Sequence, residues 1–238
     1  QQYTATGLFA IGCDGKKSRV RQQADIDFKG RAYPDTYIMG DFSDNTQLGS
    51  DAAIYLCNQG LIESFPLLNN KRRWVVKTSD YISAIERNHI EQRVWKRIGL
   101  DLSRTENIML SSFGVQKYRA EQIVRHRIIL AGDAAHVVSP IGGQGMNLGW
   151  LGAWDLAKSL KNVFKTRAKT TQILRQFEQR RVKAAGNAMR RAEINMRLGR
   201  KVSLPFLRNN LISLMLNTPL SHLMAKVFTM RGVEKWIT

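Results

Sequence analysis

Apolar and polar positions along the 238-residue chain follow two periodicities. Arg127 is charged, and Ile128, Ile129 and Leu130 after it are wholly apolar, the pattern of a short strand buried on both faces. Met146, Leu148, Leu151, Trp154, Leu156 and Leu160 recur at helical spacing and predict a helix that begins near Gln144. Upstream, the apolar-rich stretch Ala5–Ile11 predicts a strand. Asp51–Cys57, Gly60–Pro66 and Arg73–Thr78 predict hairpin strands, with Asn69-Asn70 as the tightest turn signal. Tyr81–Ile98 reads as a helix with Ile82, Ile85, Ile90 and Val94 on its apolar side, Ile108–Val115 as another strand, and Arg175–Arg200 as a long amphipathic helix. The last apolar region, Val202–Met230, is interrupted by Pro205, Pro219 and polar residues, so it lacks the ~20 continuous apolar residues of a membrane span.

Chemistry concentrates where the buried strand meets the helix. Gly132 lets a ligand or another segment approach the strand's end closely, and Asp133 sits at that mouth. Gly142, Gly143, Gly145 and Gly149 follow, and the first turn of the predicted helix offers unpaired backbone N–H groups. Such groups receive a phosphate, a carboxylate or an electron-rich ring oxygen. Asp133 repels phosphate and instead accepts a hydrogen bond from a sugar or ribityl hydroxyl. A ligand carrying both kinds of group satisfies the whole arrangement, although a glycine-rich turn that merely lets elements pack satisfies the composition equally.

The run Leu130-Ala131-Gly132-Asp133-Ala134-Ala135-His136, closed by Pro140-Ile141-Gly142-Gly143-Gln144-Gly145-Met146-Asn147-Leu148-Gly149, resembles the class A flavin-dependent monooxygenases, a family that includes hydroxylases of the para-hydroxybenzoate type. Cys13-Asp14-Gly15, with Ser18 and Arg21 after it, resembles the family's Asp-Gly segment. The resemblance implies that Gly132 and Asp133 bind the ribityl and pyrophosphate region of FAD and that Pro140 lies beside the ring. It implies further that Gly142, Gly143, Gln144, Gly145, Met146 and Asn147 wrap the pyrimidine side, and that Asp14 and Gly15 line the flavin and pyridine-nucleotide region. Substrate is expected against one face of the hairpin sheet, with Tyr55, Phe65, Trp74, Phe113 and Tyr118 as lining candidates and Arg119 just after the last strand; core packing is the competing reading for each aromatic residue.

The fold class implied is α/β: an incomplete Rossmann-like FAD-binding domain interleaved with a mixed-sheet substrate domain and followed by a helical tail. Residues 1–31 are expected to end the first FAD-binding segment, 32–118 to form the substrate domain, 119–199 to return to the FAD domain, and 200–238 to form the C-terminal helices. The family's opening Gly-x-Gly-x-x-Gly turn is not in this sequence, and a preceding N-terminal portion of the same protein is expected. The implied activity is hydroxylation of an aromatic, quinone-like or polyketide-like small molecule with FAD, NADPH or NADH, and dioxygen. The alternatives are a flavin-dependent reductase or halogenase of the same fold, or a non-catalytic partner-binding fragment.

Charge and the remaining reactive side chains alter little. The formal charge is +18, and residues 161–238 carry 17 Lys/Arg against 3 Asp/Glu. No reader motif or aromatic stacking platform accompanies them, so nucleic acid is not expected as a partner. A homodimer face and a peripheral contact with anionic lipid are the alternatives to simple covering of the FAD domain by the tail. Four histidines (89, 126, 136 and 222) and the thiols Cys13 and Cys57 show no ligand spacing, so no metal site is expected. His136 is implied to be a structural neighbour of the flavin loop. The few cysteines agree with a cytoplasmic setting, membrane-associated or not. Where the family carries an acidic residue in the helix after Asn147, this chain has Gly152, with Asp155 one turn later.

Overall fold

A computed structural model of the chain describes residues 3–141, 145–201 and 204–222, except the side chain of residue 167. It is a mixed α/β structure that divides into two compact units: one of residues 1–31, 116–195 and 222–238, the other of 32–115 and 196–221.

The first unit is built around a three-stranded sheet in the order β1-β8-β7, comprising β1 (Ala10–Gly12), β7 (Val124–Arg125) and β8 (Ile128–Leu130). β1 and β8 are parallel, with Ala10 opposite Ile128 and Gly12 opposite Leu130, while β7 folds back antiparallel onto β8. Ile129 and Leu130 are fully buried, as an apolar triplet flanked on both sides requires. They share a core with Ala134, Leu156, Val163, Leu174 and Phe177, the last four supplied by α3 (Gly145–Lys165) and α4 (Thr170–Leu198). The expected strand over Ala5–Ile11 shortens to β1 because residues upstream of Ala10 have no ladder partner among the described residues.

The second unit is the hairpin sheet. β3 (Ala53–Cys57), β4 (Gly60–Leu67) and β5 (Lys71–Thr78) run antiparallel in sequence order, and β5 pairs with β2 (Phe28–Ser43) from Thr36–Thr78 to Ser43–Lys71. Asn69 and Asn70, at the β4–β5 turn, both take positive φ (60° and 51°), a conformation Asn tolerates. One sheet face is sealed by α2 (Arg87–Ile98), whose Ile90 and Val94 meet Ile38, Phe42, Ile62, Trp74 and Val76. α2 begins only at Arg87, so the helix expected from Tyr81 is shorter at its start; the Glu86 N–H donates to Nδ1 of His89 at 3.0 Å and fixes the first turn there. α5 (Pro205–Leu216) leaves Phe206, Leu207, Leu211 and Leu214 exposed.

The ladder continues through β6 (Asn107–Ala120) to β9 (His136–Val137), with Tyr118 opposite Val137 and Arg119 opposite His136. Gly30 on β2 is obligatory where it passes β6: a Cβ there would lie 2.0 Å from the Lys117 carbonyl oxygen. Among the described residues no helix is long and apolar enough to cross a membrane.

Candidate functional site

The parallel pairing of β1 with β8 determines the site. Both strands end at the same edge, so the turn after Gly12 and the turn after Leu130 emerge side by side, and the Ala131 N–H donates to the Gly12 carbonyl at 2.9 Å. Ligands of open α/β sheets bind outside such carboxyl ends. Asp14, Gly15, Gly132 and Asp133 are brought together here.

Each turn has its own chemistry. Asp14 Oδ2 accepts from the Arg19 and Val20 amides at 2.7 and 3.1 Å, capping α1 (Arg19–Gln23), while Ser18 Oγ accepts from Arg21 N at 3.0 Å. The Ser18 hydroxyl, with the Val20 amide after it, holds the Asp14 carboxyl below its ordinary range. Asp14 therefore shapes this turn as the start of a helix. Gly15 and Gly132 adopt positive φ, 76° and 58°, and a Cβ on either would meet nothing within 4 Å, leaving open space beside both backbones. Asp133 lies exposed in the short 3-10 turn Gly132–Ala134 and accepts no hydrogen bond among the described residues. Partial desolvation raises its carboxyl above the usual value. An acceptor at a mouth with space in front of it suits a hydroxyl-bearing ligand.

Arg21 joins the two turns. Its guanidinium is buried, donates from Nη1 to the Ala134 carbonyl at 2.9 Å and from Nη2 to the Lys16 carbonyl at 2.8 Å, and stacks over the Phe28 ring at 3.7 Å. Of the four basic residues in the run Lys16-Lys17-Ser18-Arg19-Val20-Arg21, Lys17 and Arg19 are solvated, and Arg21 alone is buried.

α3 completes the wall. Gly149 brings the helix so near the turn that a Cβ on it would stand 3.8 Å from the Gly132 Cα, and Leu148 is buried. Gly145, Met146 and Asn147 form the first turn, whose amides have no carbonyl four residues back within the helix. Pro140 is exposed just before them, and Ser139 Oγ accepts from Ile141 N at 3.2 Å. Gly142, Gly143 and Gln144 lie outside the described residues.

Behind this wall is a charged knot. Asp155, buried on α3, forms ion pairs with Arg180 Nη2 at 2.7 Å and Arg181 Nε at 3.1 Å from α4. Gly152 is also buried, and a Cβ on it would lie 3.7 Å from Arg181 Cδ. The acid one turn further on thus ties the two helices together, and the glycine leaves room for the arginine. Glu178 Oε1 accepts from Ile123 N at 2.7 Å and Val124 N at 3.2 Å, anchoring α4 to the β7 edge.

His136 is buried, and desolvation, with Arg181 nearby, lowers its pKa to about 4. A base whose folded pKa lies below its unfolded value near 6.5 adds stability that is complete above pH 6.5 and is lost as pH falls toward 4. We expect unfolding titrations to lose up to about 3 kcal/mol through this window, and His136→Gln to flatten that part of the curve. Equal slopes for both proteins would show that His136 is not held neutral. Among the described residues no three His, Cys, Asp or Glu side chains gather as a metal site.

In the second unit the aromatic candidates divide between the two sheet faces. Trp74 is 1% exposed within the α2-side core and Tyr55 stacks on it at 6.4 Å, so both serve packing. Phe65 follows Ser64, the ladder partner of Trp74, and so points to the opposite face. Phe113 stacks at 5.6 Å on Tyr37, which likewise alternates with the core residue Ile38. That second face also carries Glu63, 6% exposed, its carboxyl raised to about 7 by burial, and Tyr37, whose hydroxyl is buried without a hydrogen-bond partner among the described residues. Sequence reasoning passed over both; the signal was an acid inside the apolar run Leu61-Ile62-Glu63. In the first unit, Arg119 is exposed, and Tyr118 stacks on Phe28 at 5.4 Å.

The FAD binding domain family matches residues 1–192 of the chain. The chain is 31% identical over 201 residues to the uncharacterized aromatic compound monooxygenase YhjG of Bacillus subtilis, covering 82% of this chain and 40% of that one. To the rifampicin monooxygenase of Streptomyces venezuelae it is 30% identical over 159 residues, covering 64% of this chain and 33% of the relative. It therefore spans well under half the length of these relatives. The solved p-nitrophenol 4-monooxygenase PnpA of Pseudomonas putida shares the fold, with TM-score 0.77 and 22% identity over 94% of this chain and 59% of that one.

Proposed function

The chain belongs to the FAD binding domain family, and from that premise we propose that its paired turns hold the ribityl and pyrophosphate portion of FAD in an NAD(P)H- and dioxygen-dependent monooxygenase that hydroxylates an aromatic, quinone-like or polyketide-like small molecule. The observation that carries this reading is the convergence of Asp14-Gly15 and Gly132-Asp133 at the carboxyl ends of two parallel strands, fastened by Arg21. The names of the two relatives, an aromatic compound monooxygenase and a rifampicin monooxygenase, support the reaction class.

FAD, when bound, would supply the redox chemistry that links pyridine nucleotide to dioxygen. The chain's own residues position it. Asp133 accepts from ligand hydroxyls, Gly15 and Gly132 permit close backbone approach, and the first-turn amides of α3 favour negative charge on an adjacent ring oxygen. Pro140 and the stretch 142–147 are the proposed ring-side wall. Of the aromatic candidates, Phe65 and Phe113 share a sheet face with Glu63 and Tyr37, and that face is the proposed substrate wall; Arg119 is proposed only as a peripheral contact.

The test is to purify the protein with its complete reading frame, look for flavin absorption in the bound chromophore, and follow NAD(P)H oxidation with an aromatic substrate panel under labelled dioxygen. Label in the product is the expected result. Absence of bound FAD removes the cofactor assignment, whereas undiminished turnover without oxygen selects a flavin-dependent reductase instead.

A further inference from the structure

A cavity of about 420 Å³ opens in the second unit between the end of β3 and the last turn of α2, lined by Tyr55, Cys57, Asn58, Gln59, Lys96 and Arg97 among others. Its volume lies within the ~300–1,000 Å³ range of small-molecule sites. Among the described residues no acidic side chain lines it. Asn58 and Gln59, the two-residue turn between β3 and β4, contribute side-chain amides; Tyr55 and Ile98 contribute apolar wall.

Arg97 is out of balance with these surroundings. Its Nε is buried with no hydrogen-bond partner, and its described hydrogen bond is one long donation, 3.5 Å, from Nη1 to the Gly60 carbonyl. None of the described ion pairs includes it. Desolvation pulls its pKa down; the other charges it feels are Cys57 and, unfavourably, Arg93. Burial raises the Cys57 thiol, so Cys57 supplies no full negative charge. Arg208 approaches the same strand end, but its Nη2 is occupied by the Leu56 and Cys57 carbonyls at 3.0 and 3.4 Å.

Basic residues in the last turn of a helix are favoured by the helix dipole, which accounts for exposed Lys96. A side chain placed for the dipole alone stays in water, however, and a half-buried arginine whose Nε is buried without a counter-ion carries a desolvation cost. An anion entering the cavity would remove that cost and use the arginine's fork. Two cations without a lining acid balance a dianion, and the cavity is larger than one phosphate group.

We propose that this cavity binds the terminal phosphate of a small organic phosphate, with Arg97 as principal ligand, Lys96 as second cation and Asn58 and Gln59 as further donors. This site is independent of the flavin reading. Calorimetric titration of the full chain with inorganic phosphate and with phenyl phosphate, at constant ionic strength set by chloride, is expected to give saturable binding in roughly the millimolar range. Phenyl phosphate binds at least as tightly, and Arg97→Met weakens both by about tenfold or more. Asn58→Asp, on an exposed turn, places a carboxylate in the cavity and is expected to abolish binding with the circular dichroism spectrum unchanged; it keeps the test open if Arg97→Met does not fold. Lys29→Met, removing an exposed cation in the other unit, leaves the affinity as it was. Absence of saturable heat overturns the proposal, as does unchanged affinity in Asn58→Asp or a loss in Lys29→Met equal to that in Arg97→Met.

Discussion

Replacing Asp155 with asparagine is expected to lower stability by about 3–5 kcal/mol, the cost of removing one partner from a buried ion pair. The carboxylate neutralises Arg181, whose side chain is 3% exposed, and Arg180 at once, so its loss leaves two adjacent guanidiniums across the α3–α4 contact. Equilibrium denaturation at low and high salt separates causes: repulsion between the arginines is partly screened by salt, whereas loss of packing is not. The structure also provides a rescue. Because a Cβ at Gly152 would sit 3.7 Å from Arg181 Cδ without overlap, Gly152→Asp combined with Asp155→Asn moves the charge one helical turn back toward the same arginine. The double variant should recover a substantial part of the loss; no recovery would mean that the position of the carboxylate, rather than its presence, holds the helices together.

The second large effect is on cofactor retention. Asp133→Ala removes a charge-assisted hydrogen bond from the proposed cradle, worth about 1.5–3 kcal/mol, so FAD dissociation in the complete protein should become about 10- to 150-fold tighter in wild type than in the variant. Asp51→Ala, at an exposed position in the other unit, is the comparison and should leave the constant unchanged. Asp133 has no hydrogen bond or ion pair among the described residues, so the thermal transition of the apo protein should not move. An apo protein destabilised by the substitution with equal FAD constants would make Asp133 a structural residue.

Elements with an undiluted pattern were legible in the sequence. The triplet Ile128-Ile129-Leu130 forms its strand, and the helical stripe from Met146 onward lies in α3. β2, the longest strand, was not legible, because Gly30, Pro34, Asp35, Gly40 and Asp41 break its apolar alternation. Those acids are tolerated only through distant partners: Lys77 at 2.8 Å and Arg200 at 2.5 Å for Asp35, and Arg73 at 2.7 Å for Asp41. Ladder partners and ion pairs from remote parts of the chain leave no local periodicity. The same limit applied to the site. The residue types at both turns could be read in order, but a pattern does not say which face a strand residue takes, and so Trp74 and Phe65 looked alike until the ladder register separated them.

The two turns of the proposed flavin cradle touch through Arg21 and the Ala134 carbonyl, 113 residues apart in sequence. During synthesis, the Asp-Gly turn leaves the ribosome with neither its neighbouring strand nor the acceptor for its arginine, and the hairpin sheet must emerge in between. Closing so long a loop carries an entropic cost that grows only logarithmically with its length. The contact between the two turns is consequently a late event in the life of the nascent chain, since the acceptor for Arg21 follows β8.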